Sequence, residues 1–117
     1  MLLSTLNHNL PNLTDNLVNQ LTNDKLFDSC EMMVVDNGSK ESLAKSTTHQ
    51  LDQNVFFGGG VNVILDYFLD SNHDYLAIFN NDLIFHGHNF LTNMMQEIKD
   101  NDIAVYTPSI INSSITQ

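Results

Sequence analysis

Short apolar runs recur along this chain, and stretches with a helical apolar period separate them. The runs predict strands at residues 1–6, 32–35, 55–57, 75–79 and 103–106. Apolar residues at i, i+3, i+4 and i+7 predict helices that start near Val61 and Leu91. Leu13, Leu17, Val18 and Leu21 indicate an earlier helix, which Asn12 is expected to cap. Residues 39–48 predict a short, weakly periodic helix.

Strand and helix therefore alternate through most of the sequence. This order predicts an α/β fold with a mostly parallel, Rossmann-like sheet and helices on both faces. The 117 residues suit a single α/β domain, residues 1–117, or part of a larger protein.

Polar residues follow three of the predicted strands, at residues 5–7, 36–39 and 80–82. The ends of parallel strands meet at one edge of a sheet, and open α/β sheets bind ligands there. Asp82 places a carboxylate at this edge beside the amides of Asn80 and Asn81, which suits Mg²⁺ or Mn²⁺. The alternative is that these residues only form Asx turns.

Charge and cysteine content narrow the choice of partners. The formal net charge is -10, from 14 acidic residues against 4 lysines, and the chain has no arginine. Nucleic acid and anionic membrane surfaces are therefore not expected partners, because phosphate binding needs clustered basic residues. A lone Cys30 excludes an internal disulfide and fits a reducing compartment. With no apolar run of membrane-spanning length, a cytoplasmic protein is expected.

Two further features have both a functional and a structural interpretation. Gly58, Gly59 and Gly60 open a predicted helix, where backbone N–H groups suit a phosphate, although a triple glycine is also a common flexible turn. His86 and His88 follow Asp82 closely, so they are candidate metal ligands, while an exposed loop is the simpler interpretation.

Five stretches together resemble a known enzyme family. They are S-T-L-N at 4–7, V-V-D-N-G-S at 34–39, N-V-F-F-G-G-G-V-N at 54–62, F-N-N-D at 79–82, and the stretch at 106–111 that contains Pro-x-Ile. Their order and spacing resemble the nucleotide-binding half of family 2 glycosyltransferases, which have the GT-A fold. The nearest branch is similar to bacterial rhamnosyltransferase-type enzymes that build surface polysaccharide.

The resemblance implies a role for individual residues. The residues implied to bind the nucleotide are Thr5, Asn7, Asp36, Asn37, Asn62 and Asn81. Asp36 would accept a hydrogen bond from the base, Asn81 would face the ribose, and Asp82 would bind the divalent metal. The chain departs from the family at Ser4, Leu6, Phe56 and the uncharged Asn80. No residue matches the family's catalytic base, so none is assigned as catalytic.

The resemblance also implies the function. The chain is expected to be the N-terminal, nucleotide-diphospho-sugar-binding part of a longer hexosyltransferase that is peripheral at the inner face of the membrane. A glycan or lipid-linked acceptor would bind the second half, so this fragment alone is expected to be inactive. An open sheet edge predicts a homo-oligomer. The alternative is a non-catalytic, truncated α/β module used for binding or assembly.

Overall fold

The computed structural model describes residues 1–110. Within this range the strands are β1 (Leu2–Asn7), β2 (Glu31–Asn37), β3 (His49–Leu51) and β4 (Leu76–Phe79). The α-helices are α1 (Pro11–Leu21), α2 (Phe56–Asp70) and α3 (Phe90–Asn101), and a short 3-10 helix spans Lys25–Ser29. No helix in this range is both long and apolar enough to cross a membrane.

The strands of the described residues form one parallel sheet in the order β3-β2-β1-β4. β1 and β4 pair from Leu2↔Leu76 to Thr5↔Phe79, and β1 and β2 pair from Leu2↔Glu31 to Asn7↔Asp36. The prediction of an α/β fold with a Rossmann-like parallel sheet is confirmed.

Helices cover both faces of this sheet because successive residues of β1 point to opposite sides. Leu2 lies in an apolar cluster with Met33, Val35 and Ile64, which brings α2 onto one face. Leu3 lies in a second cluster on the other face, where α1 and α3 pack; its other buried members are Leu17, Leu21, Phe79, Leu91 and Met94. Each fully buried leucine side chain contributes roughly 1.5–3 kcal/mol relative to an exposed one.

The start of α1 differs from the sequence prediction. Pro11 occupies the first turn, where its missing N–H leaves no hydrogen bond unmade. Asn12 does not cap this helix; Leu10 precedes it, and no side chain bonds its first turn as a cap. Asn7 instead accepts a hydrogen bond at Oδ1 from the backbone N–H of Leu10 (3.2 Å), which fixes the turn between β1 and α1.

The third strand lies earlier in the chain than predicted. Residues 55–57 are not a strand: Phe56 begins α2 with a φ of 61°. The strand is β3, whose pairing runs from Val35↔His49 to Asn37↔Leu51. β3 carries little apolar patterning of its own, so its backbone pairing with β2 decides its conformation.

Two other predicted elements are absent from the described residues. Residues 39–48 form a loop and not a helix. Asp15 of α1 accepts hydrogen bonds from the backbone N–H groups of Lys45 (3.0 Å) and Ser46 (2.9 Å), so these two groups bond α1 and not a helix of their own. Residues 103–106 form no strand; Tyr106 packs against the core and its hydroxyl donates to Glu97 (3.0 Å). Ile111, the last residue of the stretch at 106–111, lies outside the described residues.

Candidate functional site

The candidate site lies where the winding of the sheet reverses. From β1 the chain passes to β2 and β3 on one side, and then returns through α2 to β4 on the other side of β1. Connections that leave in opposite directions open a crevice at the carboxyl edge of the sheet, between the ends of β1 and β4. In open α/β sheets this crevice is the usual ligand site.

Two adjoining pockets occupy this crevice. The β4 pocket, of about 210 Å³, is lined by Leu6, Phe57, Ile78, Phe79, Asn80, Asn81 and Asp82. The β1 pocket, of about 300 Å³, is lined by Leu6, Asn7, His8, Leu10, Asn37, Asn54, Phe56, Phe57 and Asn81. Leu6, Phe57 and Asn81 belong to both, so the two pockets form one open cleft, which we call the edge cleft. The larger pocket lies at the lower end of the range of roughly 300–1,000 Å³ found for ligand sites.

A series of hydrogen-bonded side chains joins the strand ends beneath the edge cleft. Asn81 donates from Nδ2 to Thr14 Oγ1 (3.1 Å), and Thr14 donates from that hydroxyl to Asn7 Oδ1 (2.9 Å). Asn7 in turn donates from Nδ2 to Asp36 Oδ1 (2.9 Å). Asn7, Thr14 and Asp36 are fully buried. Because buried polar groups that all have partners hold one another in place, this network fixes the floor of the cleft.

Asp36 is the most enclosed member of the network. Besides Asn7, it accepts hydrogen bonds from Ser39 Oγ at Oδ1 (2.6 Å) and from the Ser39 backbone N–H at Oδ2 (2.9 Å). The carboxylate thus has three donors and no exposed surface, and it does not line the cleft. In this structure it holds the turn after β2, and contact with a base requires that turn to move.

Asn37 ties the end of β2 to the start of α2. Its Oδ1 accepts from the backbone N–H of Val55 (2.9 Å), and its Nδ2 donates to the carbonyl oxygen of Phe56 (3.1 Å). Gly38 (φ 67°) lies so close to the next loop that a Cβ there would stand 2.3 Å from the carbonyl carbon of Gln53. Only glycine fits at this close approach of the two backbones. The approach brings residues 53–56 against the cleft.

Asp82 differs from Asp36 because it is exposed and lines the β4 pocket. It is the one carboxylate among the residues that line the two pockets, and no lysine lines them. A carboxylate without basic neighbours repels a diphosphate unless a cation lies between them.

A divalent metal fits this donor set when a diphosphate binds with it. Mg²⁺ is usually held by one or two carboxylates together with phosphate oxygens and water, and Asp82 supplies one carboxylate beside the amides of Asn80 and Asn81. Among residues 1–110, no group of three or more His, Cys, Asp or Glu side chains is arranged to hold a metal.

Besides Asp36, two of the implied nucleotide-binding residues do not line the cleft. Thr5 is fully buried within β1, and its Oγ1 donates to the carbonyl oxygen of Phe79 (2.8 Å), which ties β1 to β4. Asn62 is exposed on α2 and is not among the lining residues. His86 and His88 are exposed in the loop between β4 and α3. Asn7, Asn37, Asn81 and Asp82 are the implied site residues that the structure brings together at the cleft.

The sequence did not single out His8 and Asn54 as lining residues of the β1 pocket. His8 Nδ1 lies 2.8 Å from the carbonyl oxygen of Asn37, which can only accept, so Nδ1 carries the proton. In the neutral ring His8 Nε2 is then the acceptor, and it lies 3.4 Å from Asn54 Nδ2. The feature of the sequence that could have indicated His8 is its position, because it directly follows the polar end of β1.

Comparison with known proteins gives no relative for this chain. No protein-family model matches it, and neither curated proteins nor solved structures include a significant match. A function therefore has to be inferred from the residues of the edge cleft.

Proposed function

We propose that this chain is the nucleotide-diphospho-sugar-binding part of a metal-dependent glycosyltransferase of family 2, with the GT-A fold. The observation that carries the proposal is the exposed carboxylate of Asp82 at the switch point between β1 and β4, in a cleft with no lysine among its lining residues. Such a cleft suits a ligand that brings its own cation, as a nucleoside diphosphate does with Mg²⁺ or Mn²⁺.

The two pockets suit the two ends of such a ligand. The β4 pocket, with Asp82, takes the diphosphate and its metal, and the β1 pocket, whose lining residues include no carboxylate, takes the nucleoside. The metal, when bound, neutralises the charge on the diphosphate leaving group. Asn81 lies between the two pockets, so it is placed to contact the ribose.

The remaining parts of the proposal concern the full-length protein. A hexosyl group, of the kind that rhamnosyltransferase-like enzymes transfer, passes to a polysaccharide or glycolipid acceptor. The acceptor and the catalytic base belong to a second half of the protein, so residues 1–117 alone bind the donor without transferring sugar. The full-length enzyme works in the cytoplasm, peripherally at the inner face of the membrane.

A second candidate is a non-catalytic module used for binding or assembly. The observation in its favour is that the polar side-chain atoms of Asn7, Asp36 and Asn37 make hydrogen bonds to other groups of the fold. In addition, β4 pairs only with β1 in the described residues, and Ile78 on it is 39% exposed. Such an edge favours a homo-oligomer, which light scattering across a salt series measures.

Isothermal calorimetry with wild-type protein separates the two candidates. UDP and dTDP are titrated with Mn²⁺, with Mg²⁺ and with EDTA, and UMP serves as the ligand that lacks a diphosphate. We expect at least one diphosphate to bind with metal and to bind at least about tenfold more weakly with EDTA, a difference of about 1.4 kcal/mol. Absence of binding by both diphosphates would favour the assembly module.

A further inference from the structure

Two phenylalanine rings at the start of α2 are exposed beside the edge cleft. Phe56 is 78% exposed and Phe57 is 65% exposed, and both line the β1 pocket. Single exposed apolar side chains are common on proteins, but two adjacent rings on one cleft form an apolar patch. Contiguous exposed apolar patches mark interaction surfaces and ligand-binding grooves.

The backbone holds Phe56 in an unfavourable conformation. Its φ of 61° lies in the left-handed region, which bulky side chains rarely adopt. Three hydrogen bonds maintain it: Asn54 Oδ1 accepts from the Phe56 N–H (2.7 Å), and Asn37 binds the Val55 N–H and the Phe56 carbonyl oxygen. Strain that surrounding contacts enforce in this way is found at ligand sites.

Close packing sets the position of the start of α2 relative to β1. A Cβ on Gly60 would stand 2.7 Å from Leu6 Cδ2, so the first turns of α2 lie directly against β1. Phe57 lines both pockets together with Leu6. The backbone that carries the two rings therefore forms a wall of the cleft.

The side chains that line the β1 pocket indicate which part of a nucleoside diphosphate these rings would contact. Its lining residues include no acidic or lysine side chain; they combine apolar side chains with the imidazole of His8 and the amides of Asn54 and Asn81. The amides of Asn7 and Asn37 also line it, but both are engaged in hydrogen bonds within the fold. A nucleobase has the matching character, with flat apolar faces and hydrogen-bonding edges. Exposed aromatic rings stack on bases of any sequence, because every base has such a face.

We propose that Phe56 and Phe57 form an aromatic platform that stacks on the base of the bound nucleoside diphosphate. Asp36, which the family resemblance assigns to the base, is enclosed below the cleft, so the platform is the principal contact of the base in this chain. This proposal rests on the proposed function, since it concerns the same ligand in the same cleft.

The test measures how removal of each ring changes the affinity for a ligand that has a base and for one that lacks it. Phe56→Gly removes one ring at a position whose positive φ glycine adopts readily, so this variant should keep its fold. Phe57→Ala removes the other ring, and Phe57→Leu keeps its bulk without an aromatic face. Leu69→Ala is the matched control, because Leu69 is 75% exposed on the same helix and is not among the residues that line the cleft. Thermal melts followed by circular dichroism check the folding of each variant.

Calorimetry with Mn²⁺ then measures the affinity for UDP, for UDP-glucose and for inorganic pyrophosphate. We expect Phe56→Gly and Phe57→Ala to weaken UDP binding by roughly tenfold or more each, the scale of one base-stacking contact. Phe57→Leu should lose most of the same affinity. Pyrophosphate affinity should stay unchanged in every variant, and Leu69→Ala should match the wild type. Proton NMR with diamagnetic Mg²⁺ in place of Mn²⁺ should show the uridine H5 and H6 signals shifted upfield by the rings.

Three results would overturn the platform. UDP affinity could survive in both ring-deleted variants, UDP and pyrophosphate could weaken equally, or UDP-glucose could weaken while UDP does not, which would place the sugar on the rings. Each of these leaves wild-type diphosphate binding intact, so the proposed function would stand. Absence of binding of both UDP and dTDP by the wild type would reject both proposals.

Discussion

The ends of β2 and β4 carry similar polar residues at the same edge of one sheet, yet their carboxylates differ. Asp36 is fully buried and accepts hydrogen bonds from Asn7 and Ser39. Asp82 is exposed and lines an open pocket. The first carboxylate therefore belongs to the scaffold of the cleft, and the second is available to a ligand.

Their positions in the sheet explain the difference. β2 lies between β1 and β3. The turn after it contacts Asn9, which precedes α1, and Gln53, which precedes α2. β4 pairs only with β1 within residues 1–110, and its exit leads into an exposed loop. The carboxylate at the end of the central strand, Asp36, therefore makes hydrogen bonds within the fold, whereas Asp82, which follows the edge strand, is exposed to solvent.

Removing the two carboxylates should have unequal effects on stability. Asp36→Ala leaves Asn7 Nδ2 and the Ser39 N–H without their partner in a buried site, so we expect a loss of about 2–4 kcal/mol of unfolding free energy. Asp82→Ala, at an exposed site, should change it by less than about 0.5 kcal/mol. Urea unfolding measures both. Similar losses in the two variants would remove the distinction.

A second buried carboxylate, Asp24, extends the comparison to pH. Burial raises its pKa, but hydrogen bonds from Thr92 Oγ1 (2.6 Å) and the Leu26 N–H (2.9 Å) outweigh burial, so its pKa lies below the ordinary 3.8. Because the folded pKa is the lower one, this stabilisation is present above about pH 4 and is lost as the pH falls through the folded value. Replacing Asp24 should therefore change how the stability of the protein depends on acid pH.

Urea unfolding from pH 7 to pH 2 measures how the unfolding free energy depends on the Asp24 carboxylate. Asp24→Asn should lose about 1–3 kcal/mol at pH 7 and show a flatter acid dependence than the wild type. Part of the acid dependence should remain, because hydrogen bonds from His73 and Tyr67 lower the pKa of Glu31. An unaltered profile in Asp24→Asn would show that its hydrogen bonds contribute nothing net.

The smallest expected effect concerns Thr14, which links the two strand ends. Thr14→Val keeps the shape of the side chain but removes the hydroxyl between Asn7 and Asn81, so we expect a loss of about 1 kcal/mol. Thr22→Val is the matched control, because its hydroxyl is exposed and bonds only the carbonyl oxygen of Asn19 (2.7 Å). Equal losses in the two variants would mean that the link between the strand ends adds no stability.

The sequence predicts the elements that have a strong apolar pattern and misses those set by contacts elsewhere in the chain. β1, β2, β4 and the three helices of the described residues each carry a clear run or period. β3 forms because its backbone pairs with β2, and residues 103–106 lack a neighbouring strand in the described part of the chain despite their apolar run. No local pattern contains these long-range contacts.

The candidate site is predictable to a similar degree. Strand order alone brings Asn7, Asn37, Asn81 and Asp82 to one edge, since parallel strands end on the same side. The enclosure of Asp36 depends on Ser39 and Asn7, which only the folded chain brings to it. Likewise, the positive φ of Phe56 depends on hydrogen bonds from Asn37. The sequence thus indicates where the cleft lies, but not which of its polar groups remain available.

The most direct test of the account is whether Asp82 gives nucleotide binding its dependence on metal. The measurement is the ratio of the UDP dissociation constants in EDTA and in Mn²⁺, taken for wild type, Asp82→Asn and Asp74→Asn. Asp74 is an exposed carboxylate before β4 and is not among the cleft-lining residues. We predict a ratio of at least about ten for wild type and Asp74→Asn, and a ratio near one for Asp82→Asn. A wild-type ratio in Asp82→Asn would contradict the account.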